Sequence, residues 1–120
     1  MTATATQKAT LNMVGPFNLT EAEIDKQVTK KSPGNYALGD VRDGTFYVDY
    51  VGRADVDLNK RLKDWVGKYK QFKYSYAASA QAAFEKECNN YHDFKPPHNV
   101  IHPARPENSK SKCPRCNALD

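Results

Sequence analysis

Two cysteines near the C-terminus, Cys113 and Cys116, are separated only by Pro114 and Arg115. Two thiolates at this spacing make half of a tetrahedral zinc site, as in a zinc knuckle. A closed structural site needs two more ligands. Cys88 and His92 stand four residues apart in a segment of helical pattern, which puts both on one helix face. The expected zinc ligands are therefore Cys88, His92, Cys113 and Cys116, with His102, and less favourably His98, as alternates for the fourth seat. A redox Cys-x-x-Cys is the weaker reading, since no helix follows to lower a thiol pKa. The chain carries 3 Cys, an odd and small number. It argues for a metal in a reducing, cytoplasmic compartment and against a disulfide framework.

The basic residues are as unevenly placed as the thiols. Lys60, Arg61, Lys63, Lys68, Lys70 and Lys73 fall in one short stretch against the single acid Asp64. Lys95, Arg105, Lys110, Lys112 and Arg115 form a second stretch against Glu107. Such asymmetry, with a net charge of +4, is the footprint of a polyanion-binding face. Solvated helix and loop surfaces give the same pattern equally well.

These residues need elements to hold them. The 120 residues, 39% hydrophobic and 27% charged, fit one domain that is neither disordered nor fibrous. No apolar run approaches the ~20 residues of a membrane helix, so no membrane partner is expected, and a monomer is the default. Residues 1–17 read as a flexible leader without the apolar core of a secretory signal. A short helix from the N-cap Thr20 to about Val28 follows. Asn35 to Gly39 and Thr45 to Arg53 are rich in Tyr, Phe and Val, with the turn Asp43-Gly44 between them, and predict a hairpin. Leu58, Leu62, Trp65, Val66 and Tyr69 at helical spacing predict a helix opened by Asp55 or Asp57. Phe72 to Ala77 reads as a third strand, and Ser79 caps a last helix to about His92, with Ala80, Phe84, Cys88 and Tyr91 as its stripe. The expected fold is α+β: a small three-stranded, mainly antiparallel sheet flanked by helices. The Pro-rich tail is too irregular to order itself, and the zinc would pin it to the last helix.

Gly34-Asn35-Tyr36 at the start of one hairpin strand and Tyr50-Val51-Gly52 near the end of the other resemble the two signatures of the GIY-YIG nucleases. The resemblance extends through Asp57-Leu58-Asn59-Lys60-Arg61-Leu62, and through Ala83-Phe84-Glu85-Lys86-Glu87 followed by Lys95-Pro96-Pro97-His98-Asn99. It covers roughly Gly34 to Asn99 and implies a divalent-metal-dependent endonuclease. Tyr36, Tyr50, Arg61 and Glu87 would be the catalytic set, with Mg or Mn as the catalytic ion beside the structural zinc. The partner would be nucleic acid, with DNA expected and RNA left open. Arg53, Lys60, Lys63, Lys68, Lys70 and Asn99 would contact it. The alternative is an idle nucleic-acid-binding or interaction module on the same scaffold. On this reading the domain spans 18–99 and the zinc-completing tail 100–120.

The chemistry of those residue types agrees with the resemblance. Phosphodiester hydrolysis needs an oriented water, neutralised phosphoryl oxygens and a stabilised leaving group. Tyrosine hydroxyls can orient a water, a guanidinium matches phosphate bidentately, and one carboxylate can hold a Mg²⁺ that keeps most of its waters. Between the two glutamates, 100° per residue puts Glu87 about 60° from Phe84 and Glu85 about 100° away on the other side, so Glu87 is preferred and Glu85 is the fallback. Two features depart from the family. Arg61 follows Gly52 by nine residues, one more than is common, and Trp65 stands where many members carry His or Tyr. An indole donates a hydrogen bond but cannot exchange a proton.

Overall fold

The computed structural model describes residues 11–106 and 109–119. Its order is β1 (Val14–Asn18), α1 (Glu21–Gln27), β2 (Gly34–Arg42), β3 (Thr45–Ala54), α2 (Leu58–Lys63), β4 (Gln71–Tyr76) and α3 (Ala80–Phe94). The strands form one antiparallel sheet in the order β1-β4-β2-β3. The class is α+β, as expected, but with four strands instead of three.

The additional strand is β1, which falls in the stretch read as leader. Gly15 and Pro16 argue against a strand there. At a sheet edge, however, a proline's missing N–H costs no ladder bond. Val14, Phe17 and Asn18 pair with Tyr74, Phe72 and Gln71 across a bulge. Leu11 is buried against Ala37 and Val51, so the order extends at least back to Leu11. The rest of the proposed leader, residues 1–10, lies outside the described residues.

Local signals set most of the other boundaries. The Thr20 hydroxyl accepts from the Glu23 N–H at 3.1 Å and caps α1. Asp57 caps α2 through the Lys60 N–H, and Ser79 caps α3 through the Ala82 N–H. Asp43 and Gly44 both take positive φ, 50° and 78°, the mirror-image turn whose twist suits a two-residue hairpin. The second helix is shorter than its apolar spacing suggested. It ends at Lys63, the Trp65 N–H turns back to the Leu62 carbonyl, and Gly67 at φ 88° carries the chain away. Trp65, Val66 and Tyr69 therefore lie on a turn and not on a helix face.

The sheet separates two cores. On one face Tyr36, Leu38, Phe72 and Tyr74 pack against Ile24 of α1, Val28 at its C-cap, and Leu58 and Leu62 of α2. On the other, Ala37 and Val51 meet Tyr91 and Phe94 of α3, and Asn35 donates to the Ala83 carbonyl at 2.8 Å. Among the described residues no helix is long and apolar enough to cross a membrane.

Strand β3 is an edge, and the tail covers it. The His98 N–H bonds the Asp49 carbonyl. The Asn99 side-chain amide then copies a strand, accepting from the Val51 N–H at 2.8 Å and donating to the Val51 carbonyl at 2.9 Å. An exposed ladder edge is thereby closed. Asn99→Ala should cost roughly 1–3 kcal/mol, because it orphans a pair of backbone groups. Thermal denaturation and amide exchange at Val51 measure this. An unchanged melting temperature and unchanged Val51 protection would contradict it.

Candidate active site and metal centre

Tyr36, Tyr50, Arg61 and Glu87, taken from two strands and two helices, line one cleft of about 230 Å³ beside Gly52, together with Arg53, Asp55, Trp65 and Ala104. Gly52 opens this cleft. A Cβ built on it would lie 2.5 Å from the Tyr36 hydroxyl, so only glycine lets the phenol cross β3 to reach the cleft. Tyr36 and Tyr50 have ring centroids 6.5 Å apart. Trp65 Nε1 donates to the Tyr36 hydroxyl at 2.9 Å. Burial, reinforced by the neighbouring Tyr50, pushes the Tyr36 phenol well above its ordinary pKa, and burial with Glu87 pushes Tyr50 up. Both tyrosines are thus neutral hydrogen-bonding groups near pH 7.

Glu87 is buried at 7% exposure on the sheet side of α3. Its Oε1 accepts from Arg53 Nη1 at 2.7 Å, leaving Oε2 as the oxygen that can face a cation. Burial raises its pKa, and the Arg53 guanidinium opposes that rise. A single part-shielded carboxylate suits Mg²⁺ or Mn²⁺, which brings its own waters. Glu85 is on the exposed flank, where Gln81 donates to it at 3.2 Å.

The expected nucleic-acid contacts divide into free and engaged groups. Arg53 is engaged: it bonds Glu87, Asp55 Oδ1 at 2.6 Å and the Ala104 carbonyl at 2.6 Å, with its side chain 12% exposed. It acts as scaffold at the cleft and has no donor fork to spare for a phosphate. Asn99 is likewise committed to β3. Lys63 bonds Asp25 of α1 at 2.7 Å, because α2 and α1 pack side by side. Arg61 projects from the rim, 54% exposed, with Asp64 at a loose 3.8 Å. Lys60 and Lys70 are exposed, and Lys68 Nζ hangs 5.6 Å over the Trp65 ring.

The C-terminal thiols meet α3 as the Cys-x-x-Cys spacing suggested, but with a different set of partners. His92, His102, Cys113 and Cys116 have ligand atoms all within 4.8 Å of one another. His92 Nε2 is 3.5 Å from Cys113 Sγ and His102 Nε2 is 3.3 Å from Cys116 Sγ. Tetrahedral zinc with two N and two S ligands has edges of roughly 3.3–3.8 Å, so the donor set and its spacing fit a metal ion. His102 Nδ1 donates to the Pro103 carbonyl at 2.9 Å, which leaves the Nε2 lone pair for the ion. Burial works against ionising Cys113, but hydrogen bonds from the Arg115 N–H, Cys88 and the Cys116 N–H, with the His102 ring beside it, outweigh burial and bring the thiol down to about 6.

Cys88, one of the expected ligands, is outside this group. It is fully buried beside Phe84, and burial followed by the neighbouring Cys113 pushes its thiol far up. It stands behind Cys113 as a hydrogen-bonding support, and His102, the alternate for the fourth seat, joins His92 in the set. Helix spacing could not show this, because His102 arrives from the irregular tail.

No family model matches this chain, and no curated protein or solved structure matches it either. The site must be read from its own geometry. Two partners escaped sequence reasoning: the Ala104 carbonyl, which carries no sequence signal, and Asp55, whose place only two residues from Arg53 was a legible one. Gly52→Ala should displace Tyr36 from Trp65 and cost about 1–3 kcal/mol. The chain has 1 Trp, so the emission maximum of Trp65 reports the shift directly. An unshifted emission maximum together with an unchanged melting temperature would contradict the Gly52 argument.

Proposed function

We propose that this chain is a nuclease domain of the GIY-YIG kind, hydrolysing phosphodiester bonds of nucleic acid, DNA foremost, in the cytoplasm. Its catalytic ion would be Mg²⁺ or Mn²⁺, and a structural zinc would be held by His92, His102, Cys113 and Cys116. One observation carries the reading: four side chains suited to this chemistry, spread over more than fifty residues of sequence, line a single cleft.

The residues act as follows. Trp65 fills one lone pair of the Tyr36 hydroxyl, so the phenol's own proton is free to point at a water or a phosphoryl oxygen. Tyr36 and Tyr50, kept neutral by burial, orient the attacking water between them. Arg61 is exposed and loosely partnered, so it can turn onto two phosphoryl oxygens as their charge grows. Arg53 fixes the Glu87 carboxylate and adds a stationary positive charge. Glu87 Oε2 would hold the divalent ion, which supplies Lewis-acid stabilisation of the phosphoryl and leaving oxygens. A second reading, the idle nucleic-acid-binding module, is favoured by the ion pair that already occupies Glu87 Oε1 and by Trp65, which cannot exchange a proton.

Glu87→Gln keeps the shape and an oxygen for Arg53 while removing the charge a cation needs, and it should abolish Mg²⁺- or Mn²⁺-dependent cleavage. Arg61→Ala should lose roughly 3 kcal/mol of transition-state stabilisation, on the order of 100-fold in kcat/KM. Zinc-loaded wild type that binds single-stranded, duplex and branched substrates yet cuts none of them would establish the idle module instead.

Zinc has its own readout. Native mass spectrometry should find one zinc per chain, and the cobalt-substituted protein should show the visible bands of a tetrahedral two-sulfur site. His102→Ala should weaken the metal more than Cys88→Ala does. The reverse order would return Cys88 to the ligand set.

A further inference from the structure

Beside the cleft, four aromatic rings from three separate segments stand in a row. Tyr50 of β3 and Trp65 of the turn after α2 have centroids 4.8 Å apart, Trp65 and Tyr69 5.9 Å, and Tyr69 and His98 of the tail 5.6 Å. Tyr69 and His98 are also joined by a 2.7 Å hydrogen bond. The row begins at the cleft wall, where Trp65 holds Tyr36, and leads away from it to the exposed His98. The Trp65 and Tyr69 rings are only partly covered, whereas the core aromatic Phe72 is wholly buried. The cations at the row are Arg61 at the cleft end and Lys68 over Trp65, with exposed Lys70 next to Tyr69 in the chain. The acids nearby are Asp64, loosely paired with Arg61, and Asp49, which acts on the Tyr69 hydroxyl.

We propose that Trp65, Tyr69 and His98 form a stacking surface for the bases of an unpaired nucleic-acid strand. The inference rests on the nuclease reading only in placing the strand's next phosphate in the cleft. Half-covered rings flanked by flexible cations are the recurrent way of holding single strands, because every base has a face to stack and every step carries a phosphate. A duplex keeps its base faces inside and has none to offer. Lys68 lies over Trp65 on a flexible stem. A base entering above the indole displaces its ammonium towards the backbone phosphate, where the charge is better used.

The lone tryptophan makes the test direct. Zinc-loaded full-length protein is titrated at low salt, without Mg²⁺ or Mn²⁺, with fifteen-nucleotide oligo-dT, oligo-U and a blunt duplex hairpin, following Trp65 emission. Either single strand should quench Trp65, and the hairpin should not. Tyr69→Ala should weaken single-strand binding roughly 10-fold. Tyr69→Phe, which keeps the ring and loses the His98 bond, should stay close to wild type. Circular dichroism confirms that both variants fold. A hairpin that quenches as well as the single strands, the absence of any quenching, or a Tyr69→Ala variant that binds like wild type overturns the proposal. Cleavage with Mn²⁺ is scored separately: quenching without cleavage leaves the stacking surface and removes the nuclease, and duplex cleavage without quenching does the opposite.

Discussion

The Arg53 guanidinium is the joint on which the cleft depends. It sits at the end of β3, almost out of water, and binds an oxygen from each of three other places: Glu87 of α3, Asp55 in the bend just after β3 and Ala104 of the tail. Withdrawing such a charge from water costs several kcal/mol and is tolerated only when its donors are satisfied. The three acceptors do this, and in doing so they fix the relative positions of strand, helix and tail. Removing one partner of a buried pair costs about 3–5 kcal/mol, far more than a pair such as Arg61 and Asp64, which stays in solvent. The first pair therefore holds the architecture, and the second leaves Arg61 free to move.

The same joint couples the metal cluster to the cleft. His102 belongs to the cluster, Pro103 accepts its Nδ1 proton, and the next residue, Ala104, presents its carbonyl to Arg53. Arg115 pairs with Asp93 at 2.6 Å and ties the knuckle to α3 from the other side. A Pro-rich segment with no helix or strand is thus held at three points: on β3 by Asn99, on Arg53 by Ala104, and on α3 through the His and Cys side chains. An ion in that cluster would bear, through His102, Pro103, Ala104 and Arg53, on how Glu87 is aimed.

Trp65 shows how one residue can serve two neighbours. Its indole N–H satisfies the Tyr36 hydroxyl inside the cleft, while its ring begins the aromatic row outside. Gly52 is the complementary choice, a position where the absence of a side chain admits the phenol. Tyrosine, glycine and tryptophan here form one packing unit spread across β2, β3 and the turn.

Much of this was legible from residue order. The Asp43-Gly44 turn, the alternating Tyr and Val positions and the three side-chain caps encode their elements locally, within a few residues of backbone geometry. The catalytic candidates were legible only in part: helix periodicity points Glu87 towards the core, but the two-residue turn alone would set Tyr36 opposite Val51, and a bulge between Leu38 and Gly39 shifts it to Gly52. The partners of each long side chain were not legible. Arg53 and Asn99 look like phosphate contacts in the sequence, and the fold spends both on internal carboxylates and backbone. Cys88 has the right helical spacing for a metal ligand, yet burial keeps its thiol protonated and His102 takes the place. Val14–Phe17 reads as leader because Gly15-Pro16 breaks any local strand signal, and only the unpaired edge of β4 makes Val14–Asn18 a strand. Sequence determines what depends on neighbours along the chain. The tertiary structure alone decides which distant partner reaches a donor first, because that outcome is set by desolvation and by what else is packed within hydrogen-bonding distance.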